Sequence, residues 1–354
     1  NTVSNTTELW NGTNWAEQNN LSTAREYVAG TGTSTNSLAI GGDTSAPGTA
    51  YSNVTEEWTG AGVPVGGWST GGNMNTGRSR LAGAAASSTA GLAFGGSIPP
   101  VSALTELYDG STWTEVNDLN TARDFIAGAG NGTSTATLAF GGESSSYADQ
   151  TENWNGTNWT EVNDLNSARA QLAGAGISTS ALAFGGFSTP PVTFHVDTEL
   201  WNGTNWTEVN NLNAGRNRLS GTGANNTAAL AIGGQPPTTA ATELWNGTNW
   251  TEVNNLNSAR QAAGVSGITT AALAFGGNTN DAPSAPTTNI SAKTELWNGI
   301  SWSNQNDLNV ARLGLAGAGT TSSSLAFGGE TNPTRSTATE EWSSSSNTVK
   351  TLTD

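Results

Sequence analysis

One histidine, no cysteine and a series of evenly spaced carboxylates and arginines are what this chain offers for chemistry. A zinc centre needs three or four His, Cys or carboxylate ligands, and His195 alone cannot supply them. A Ser-His-acid site could use only His195. That residue lies in a Pro-rich stretch, Phe187–Asp197, with no nucleophile-elbow motif near it. Paired carboxylates can hydrolyse glycosides. Here the acids recur as Glu8, Glu56, Glu106, Glu152, Glu199, Glu243, Glu295 and Glu340, one in each copy of a repeated phrase. An active site is unique, whereas a residue present in every copy serves the scaffold. No EF-hand loop is present. The expectation is therefore a protein without catalytic residues, metal or cofactor.

The arginines follow the same logic. Arg25, Arg78, Arg123, Arg169, Arg216, Arg260 and Arg312 each lie ten residues after a Trp (Trp15, Trp68, Trp113, Trp159, Trp206, Trp250 and Trp302). Seven arginines could ring an anion. The better expectation is that each is a buried anchor paired with a repeat Glu, because a lone buried charge is costly.

The remaining composition narrows the partners. Net charge is −16, from 12 basic and 28 acidic residues. Binding to nucleic acid needs a basic footprint, and only Lys293 and Lys350 are lysines. Neither nucleic acid nor an anionic membrane is an expected partner. No apolar run approaches the roughly 18 residues that span a bilayer.

Behind these spacings is a repeat. Gly-Gly pairs end at Gly42, Gly96, Gly142, Gly186, Gly234, Gly277 and Gly329. Each copy reads as four strands, a to d. Strand a is the small-residue run after the Arg. Strand b is the Leu-Ala-Phe triplet, with Leu138 and Phe140 on one face and Ala139 on the other by the period of two. Strand c is the Thr-Glu phrase, and strand d begins at the second Trp. Asn155-Gly156 between c and d predicts a two-residue hairpin, with Trp154 opposite Thr157 and Glu152 opposite Trp159. Trp154, Trp159, Trp201 and Trp206 then belong to the structural core. Small residues on strand a suit the inner edge of blades that converge on an axis.

A Gly-Gly pair, an aromatic, a Trp and a downstream Arg resemble the kelch repeat, whose family forms four-stranded propeller blades. The phrases LAGAG, ALAFGG, ATEEW, NMNTGR and NTVKTLTD are similar to kelch-like open reading frames of marine bacteriophages, especially those of cyanobacteria. That resemblance implies a non-enzymatic virion-surface protein, in a tail fibre, appendage or capsid decoration. Its partners would be other virion proteins and a host-surface glycan or protein, with homo-oligomers possible within a fibre. A secreted, lectin-like carbohydrate-binding propeller is the alternative.

The fold expected is all-β: one seven-bladed, kelch-type β-propeller of four-stranded antiparallel blades over residues 1–354. Eight Thr-Glu strands against seven a–b pairs leave eight blades open if the chain extends upstream. The orphan hairpin within residues 1–20 would clasp the ring, and residues 339–354 would form a displaced C-terminal strand. The b-to-c loops vary in length and would share one face, the usual place for recognition. Their candidate contact residues are Tyr51, Tyr147, Phe187, Phe194, His195, Asn280 and Asp281.

Overall fold

The structure, a computed structural model, describes residues 67–98, 100–279, 289–332 and 334–344. In the N-terminal part it describes residues 4, 6 and 24 and the strand segments 8–10, 15–17, 29–32, 36–40 and 55–59. The chain divides into two compact units, Gly66–Ser344 and Asn1–Val65 with Ser345–Asp354. In the second of these, Glu8–Trp10 pairs with Trp15–Glu17, and Ala29–Gly32, Asn36–Ile40 and Thr55–Thr59 form a three-stranded sheet.

The larger unit is a β-propeller of six four-stranded antiparallel blades, not seven, and no helix occurs among its described residues. Blade 1 runs a Ala82–Ser87, b Ala90–Phe94, c Thr105–Tyr108, d Trp113–Val116. Blade 2 is Ala127–Gly128, Thr137–Phe140, Thr151–Trp154 and Trp159–Val162. Blade 3 is Ala173–Ile177, Ser180–Phe184, Thr198–Trp201 and Trp206–Val209. Blade 4 is Ser220–Asn225, Ala228–Ile232, Thr242–Trp245 and Trp250–Val253. Blade 5 is Gly264–Ile268, Ala271–Phe275, Thr294–Trp297 and Trp302–Asn304.

Blade 6 is composite. Its strands a to c are Ala316–Thr320, Ser323–Phe327 and Thr339–Ser343, and its strand d is Gly67–Thr70 from the start of the unit. The ring is thus closed by the Trp68 strand, where the sequence reading had placed the hairpin of residues 1–20. Trp342 pairs with Trp68 as Trp154 pairs with Trp159 inside blade 2. Closure removes the two open sheet edges that a linear array would leave.

One interface recurs around the ring. The first Trp of strand d donates its indole N–H to the first Thr of strand c in the preceding blade. These bonds run Trp113–Thr339, Trp159–Thr105, Trp206–Thr151, Trp250–Thr198, Trp302–Thr242 and Trp68–Thr294, at 2.9 to 3.2 Å. In five of the six interfaces the strand-b Phe of the preceding blade meets the same ring, as Phe140 meets Trp206 at 4.9 Å between centroids and Phe275 meets Trp68 at 4.8 Å, and in the sixth Ile232 takes that place in the cluster with Trp302. Small residues take the other side. Leu138 and Phe140 pack with Ala181 and Ala183 of blade 3, while Ala139 packs with Leu92 and Phe94 of blade 1. A Cβ on Gly128 would come within 2.8 Å of Phe94 Cζ, so blade 2 needs a Gly at that place.

The c–d turn differs from the two-residue hairpin expected. Trp154 lies opposite Trp159, and Glu152 opposite Glu161. The reason is the Asn155 side chain: its Oδ1 accepts from Thr157 N at 2.9 Å and Asn158 N at 2.8 Å. That side-chain cap stabilises a four-residue loop, Asn155–Asn158. The two Trp rings still share a face, now as direct partners with centroids 5.3 Å apart.

The repeat arginines are buried tethers. In the six blades they pair as Arg78–Glu106, Arg123–Glu152, Arg169–Glu199, Arg216–Glu243, Arg260–Glu295 and Arg312–Glu340. Arg25 lies outside the described residues. Burial pulls the Arg123 guanidinium below its ordinary value, and the Glu152 charge opposes that shift. The second oxygen of each Glu accepts a backbone N–H from the incoming d-to-a crossover, as Glu152 Oε2 does from Asn120 at 2.7 Å. Each Glu therefore fixes the crossover that enters its own blade from the one before.

Candidate functional site

The a–b and c–d turns leave a blade at one end, and the b–c loops and d–a crossovers leave it at the other. On this second face the axis of the ring opens into a cavity of about 260 Å³. The residue two places after each repeat Arg forms its rim: Arg80, Phe125, Gln171, Arg218, Ala262 and Gly314. The next residues, Leu81, Ile126, Leu172, Leu219, Ala263 and Leu315, form an apolar wall beneath.

The rim is built by an unusual backbone. Arg80, Phe125, Gln171, Arg218 and Ala262 have φ of 60°, 47°, 58°, 49° and 52°, and Gly314 has 58°. Non-Gly residues in this region cost about 1–3 kcal/mol each and cluster at functional positions. A chain of backbone hydrogen bonds around the axis compensates. Gln171 N donates to Phe125 O, Arg218 N to Gln171 O, Ala262 N to Arg218 O, Gly314 N to Ala262 O and Arg80 N to Gly314 O, at 2.7 to 3.1 Å. The rim side chain thus differs between blades while its backbone conformation is the same in all six.

The electrostatics of the rim are uneven. Arg80 stacks on the Phe125 ring with Cζ 4.4 Å from its centroid, and its Nη1 lies 3.4 Å from Asp124 Oδ2. Arg218 also lies over the Phe125 ring, its Cζ 5.6 Å from the centroid. Its Nε and Nη1 donate to the neutral Gln171 Oε1 and Gln261 Oε1, both at 3.3 Å. Among the described residues no carboxylate lies within ion-pair distance of Arg218, in contrast to the six repeat arginines of the blades. Burial lowers Arg218 from its ordinary value, and the like charge of Arg80 lowers it further. An anion here would relieve that repulsion. Glu330, which follows strand b of blade 6, also lines the cavity.

The opposite end of the axis is tied across. Asn131, in the a–b connection of blade 2, donates from Nδ2 to Gly267 O of blade 5 at 2.7 Å. Its Oδ1 accepts from Thr222 Oγ1 and Gly223 N of blade 4, at 3.2 and 3.3 Å. Blades 2 and 5 face each other across a six-membered ring. The Asn131 side chain therefore crosses the axis and narrows the channel at that end. Between Asn131 and the rim the channel is lined by small strand-a residues such as Gly83, Gly128, Gly174 and Gly221.

The loop residues expected from the sequence are partly gathered. Tyr147 from the blade 2 loop meets Phe187 from the blade 3 loop, centroids 6.0 Å apart, and Phe187 meets Phe194 at 5.4 Å. Phe187–Ser188 and Thr193–Phe194 form a small two-stranded hairpin. Tyr51, Asn280 and Asp281 lie outside the described residues. His195 does not project as a free surface contact: Nε2 is 2.8 Å from Ser188 Oγ, and Nδ1 is 2.7 Å from Asp197 Oδ2.

Sequence reasoning missed the rim residues. The signal was there: position two after the repeat Arg changes type in every blade except for the shared Arg of blades 1 and 4, while its surroundings stay constant. It was overlooked because the d–a crossover never varies in length. No protein-family model matches this chain, and no curated protein matches it.

Proposed function

We propose that this chain is a kelch-type adhesion propeller of a phage particle, and that its loop face binds an acidic glycan on the host surface. The ligand's anionic group enters the axial mouth, between Arg218 and Arg80. The observation that carries the proposal is a cavity, open on the loop face, whose rim holds an arginine with no carboxylate partner among the described residues. The positive-φ backbone repeats in every blade, whereas the side chains it presents differ from blade to blade, and that variation supports a recognition role. The apolar wall and Phe125 suit the carbon face of a sugar, and the aromatic group Tyr147, Phe187 and Phe194 offers a second contact on the same face. The kelch-like and phage-like phrasing of the repeats supports the virion setting.

The test is an array of acidic and neutral oligosaccharides probed with the purified chain, alongside immunogold labelling of phage particles. Saturable binding confined to carboxylated or sulfated glycans, with label at the particle surface, is expected. Binding to neutral glycans alone would overturn the anion reading, and label found only in lysate protein would overturn the virion reading.

A further inference from the structure

The hairpin of the blade 3 b–c loop carries a hydrogen-bonded relay, Ser188–His195–Asp197. In the neutral imidazole, the tautomer that donates to the Asp197 carboxylate carries its proton on Nδ1, 2.7 Å away. That leaves Nε2 as an acceptor, and the Ser188 hydroxyl donates to it at 2.8 Å. The imidazole is mostly enclosed, its side chain 12% exposed, and Asp197 is 30% exposed. Ser188 is half-buried. Nucleophile, base and orienting acid are thus in reach of one another, in the roles a nucleophilic serine requires.

The relay is not needed to hold the loop. Its equivalent in every other blade is anchored by one backbone bridge to the d–a crossover, as Asp124 bridges Glu143 and Asn217 bridges Gln235. The blade 3 loop has the same bridge, Ala170 to Phe187. Its two aromatic residues, Phe187 and Phe194, are directly paired. By the alternation of a strand, Ser188 lies on the other face of that hairpin. The relay uses the chain's one histidine, and it is an addition to a loop that is already fastened. It is also separate from the axial mouth, since Ser188 lines neither cavity there.

We propose that Ser188 is an activated nucleophile that accepts the acyl group of a short-chain ester. Ser188 Oγ attacks the ester carbonyl as its proton passes to His195 Nε2. The bond from the acyl carbon to the alcohol oxygen breaks, and His195 returns the proton to the departing alcohol. Water then attacks the acyl-Ser188 ester, giving up a proton to His195, and the carboxylic acid leaves with Ser188 restored. Ser188 lines neither of the two axial cavities, and this suits a short acyl group.

The experiment treats the full chain with a fluorophosphonate probe and p-nitrophenyl acetate. The adduct is located by peptide mass spectrometry in wild type, Ser188→Ala, His195→Ala and Asp197→Asn. Melting temperatures show that each variant folds. The expected result is a single phosphonylated serine, Ser188. Its labelling rate should fall by about 100-fold or more in His195→Ala and by at least tenfold in Asp197→Asn. Absence of a Ser188 adduct would overturn the proposal, as would a labelling rate unchanged in a folded His195→Ala protein. Either result would leave the relay as a staple of the hairpin.

Discussion

Glu152 is the sharpest point at which to test what holds the ring together. Its side chain is 1% exposed and faces the fully enclosed Arg123 guanidinium, Nη2 to Oε1 at 2.8 Å. Arg123 also donates from Nη1 to Gly141 O at 3.0 Å and Gln150 O at 2.7 Å. Glu152 Oε2 meanwhile accepts from Asn120 N at 2.7 Å and Asn120 Nδ2 at 2.9 Å. Both carboxylate oxygens therefore face donors. Glu152→Gln keeps the shape but must turn its own N–H₂ toward one of those donors. It also strips the countercharge from a guanidinium that burial already disfavours. Breaking a buried pair from one side costs about 3–5 kcal/mol. Urea unfolding followed by tryptophan fluorescence would measure it. A second protein, Arg123→Met with Glu152→Leu, removes both charges together and should recover most of the loss. A Glu152→Gln loss below about 1 kcal/mol, or a double variant no better than the single one, would refute the tether.

Three further outcomes follow from the geometry. Trp68→Ala should destabilise by about 3–5 kcal/mol, as much as Trp206→Ala, because Trp68 makes the same Thr and Phe contacts across the closing joint; a loss well under that of Trp206→Ala in urea unfolding would place closure elsewhere. Ala262→Gly should leave stability unchanged or raise it by up to about 1 kcal/mol, since relief of the positive φ outweighs the entropy of Gly; a clear loss in thermal unfolding would deny that the rim is strained. Tyr108 should ionise late in a tyrosinate absorbance titration, because burial and its 2.5 Å hydrogen bond to Glu341 Oε1 push its pKa up to about 12. The neutral form is the one the fold favours, so this stabilisation is complete below pH 10 and is lost as pH rises toward 12. Tyr108→Phe should remove that late step, and an unchanged titration would contradict the assignment.

The blade was legible in the sequence because its chemistry is local and repeated. A Trp ten residues before an Arg fixes strand d, its crossover and the tether in one phrase. The blade count was less legible, because it depends on which Trp strand joins Thr339–Ser343 at the far end of the chain. The clue was the nine residues TGAGVPVGG between Trp58 and Trp68, where other copies have four. That spacing departs from the four-residue c–d loop, and Trp68 is left for blade 6. The turn register was misread because the Asn155 side chain, not the Asn-Gly backbone preference, sets the loop. The variable loops point to the same face as the proposed binding mouth, whereas the rim lies in the crossovers of constant length. The Ser188–His195–Asp197 relay was invisible because the hairpin that folds the loop back on itself spans only two residues on each side.

The account rests most heavily on Arg218 at the axial mouth. Isothermal titration with a sulfated or uronic-acid tetrasaccharide, compared with a neutral tetrasaccharide of the same length, tests it directly. The comparison protein is Arg218→Gln, since Gln171 already shows that the rim backbone carries a Gln at this φ. The account predicts salt-sensitive binding of the acidic ligand by the wild type, weakened at least tenfold in Arg218→Gln with an unchanged melting temperature. Equal affinity in the two proteins, or equal affinity for the acidic and neutral ligands, would contradict it.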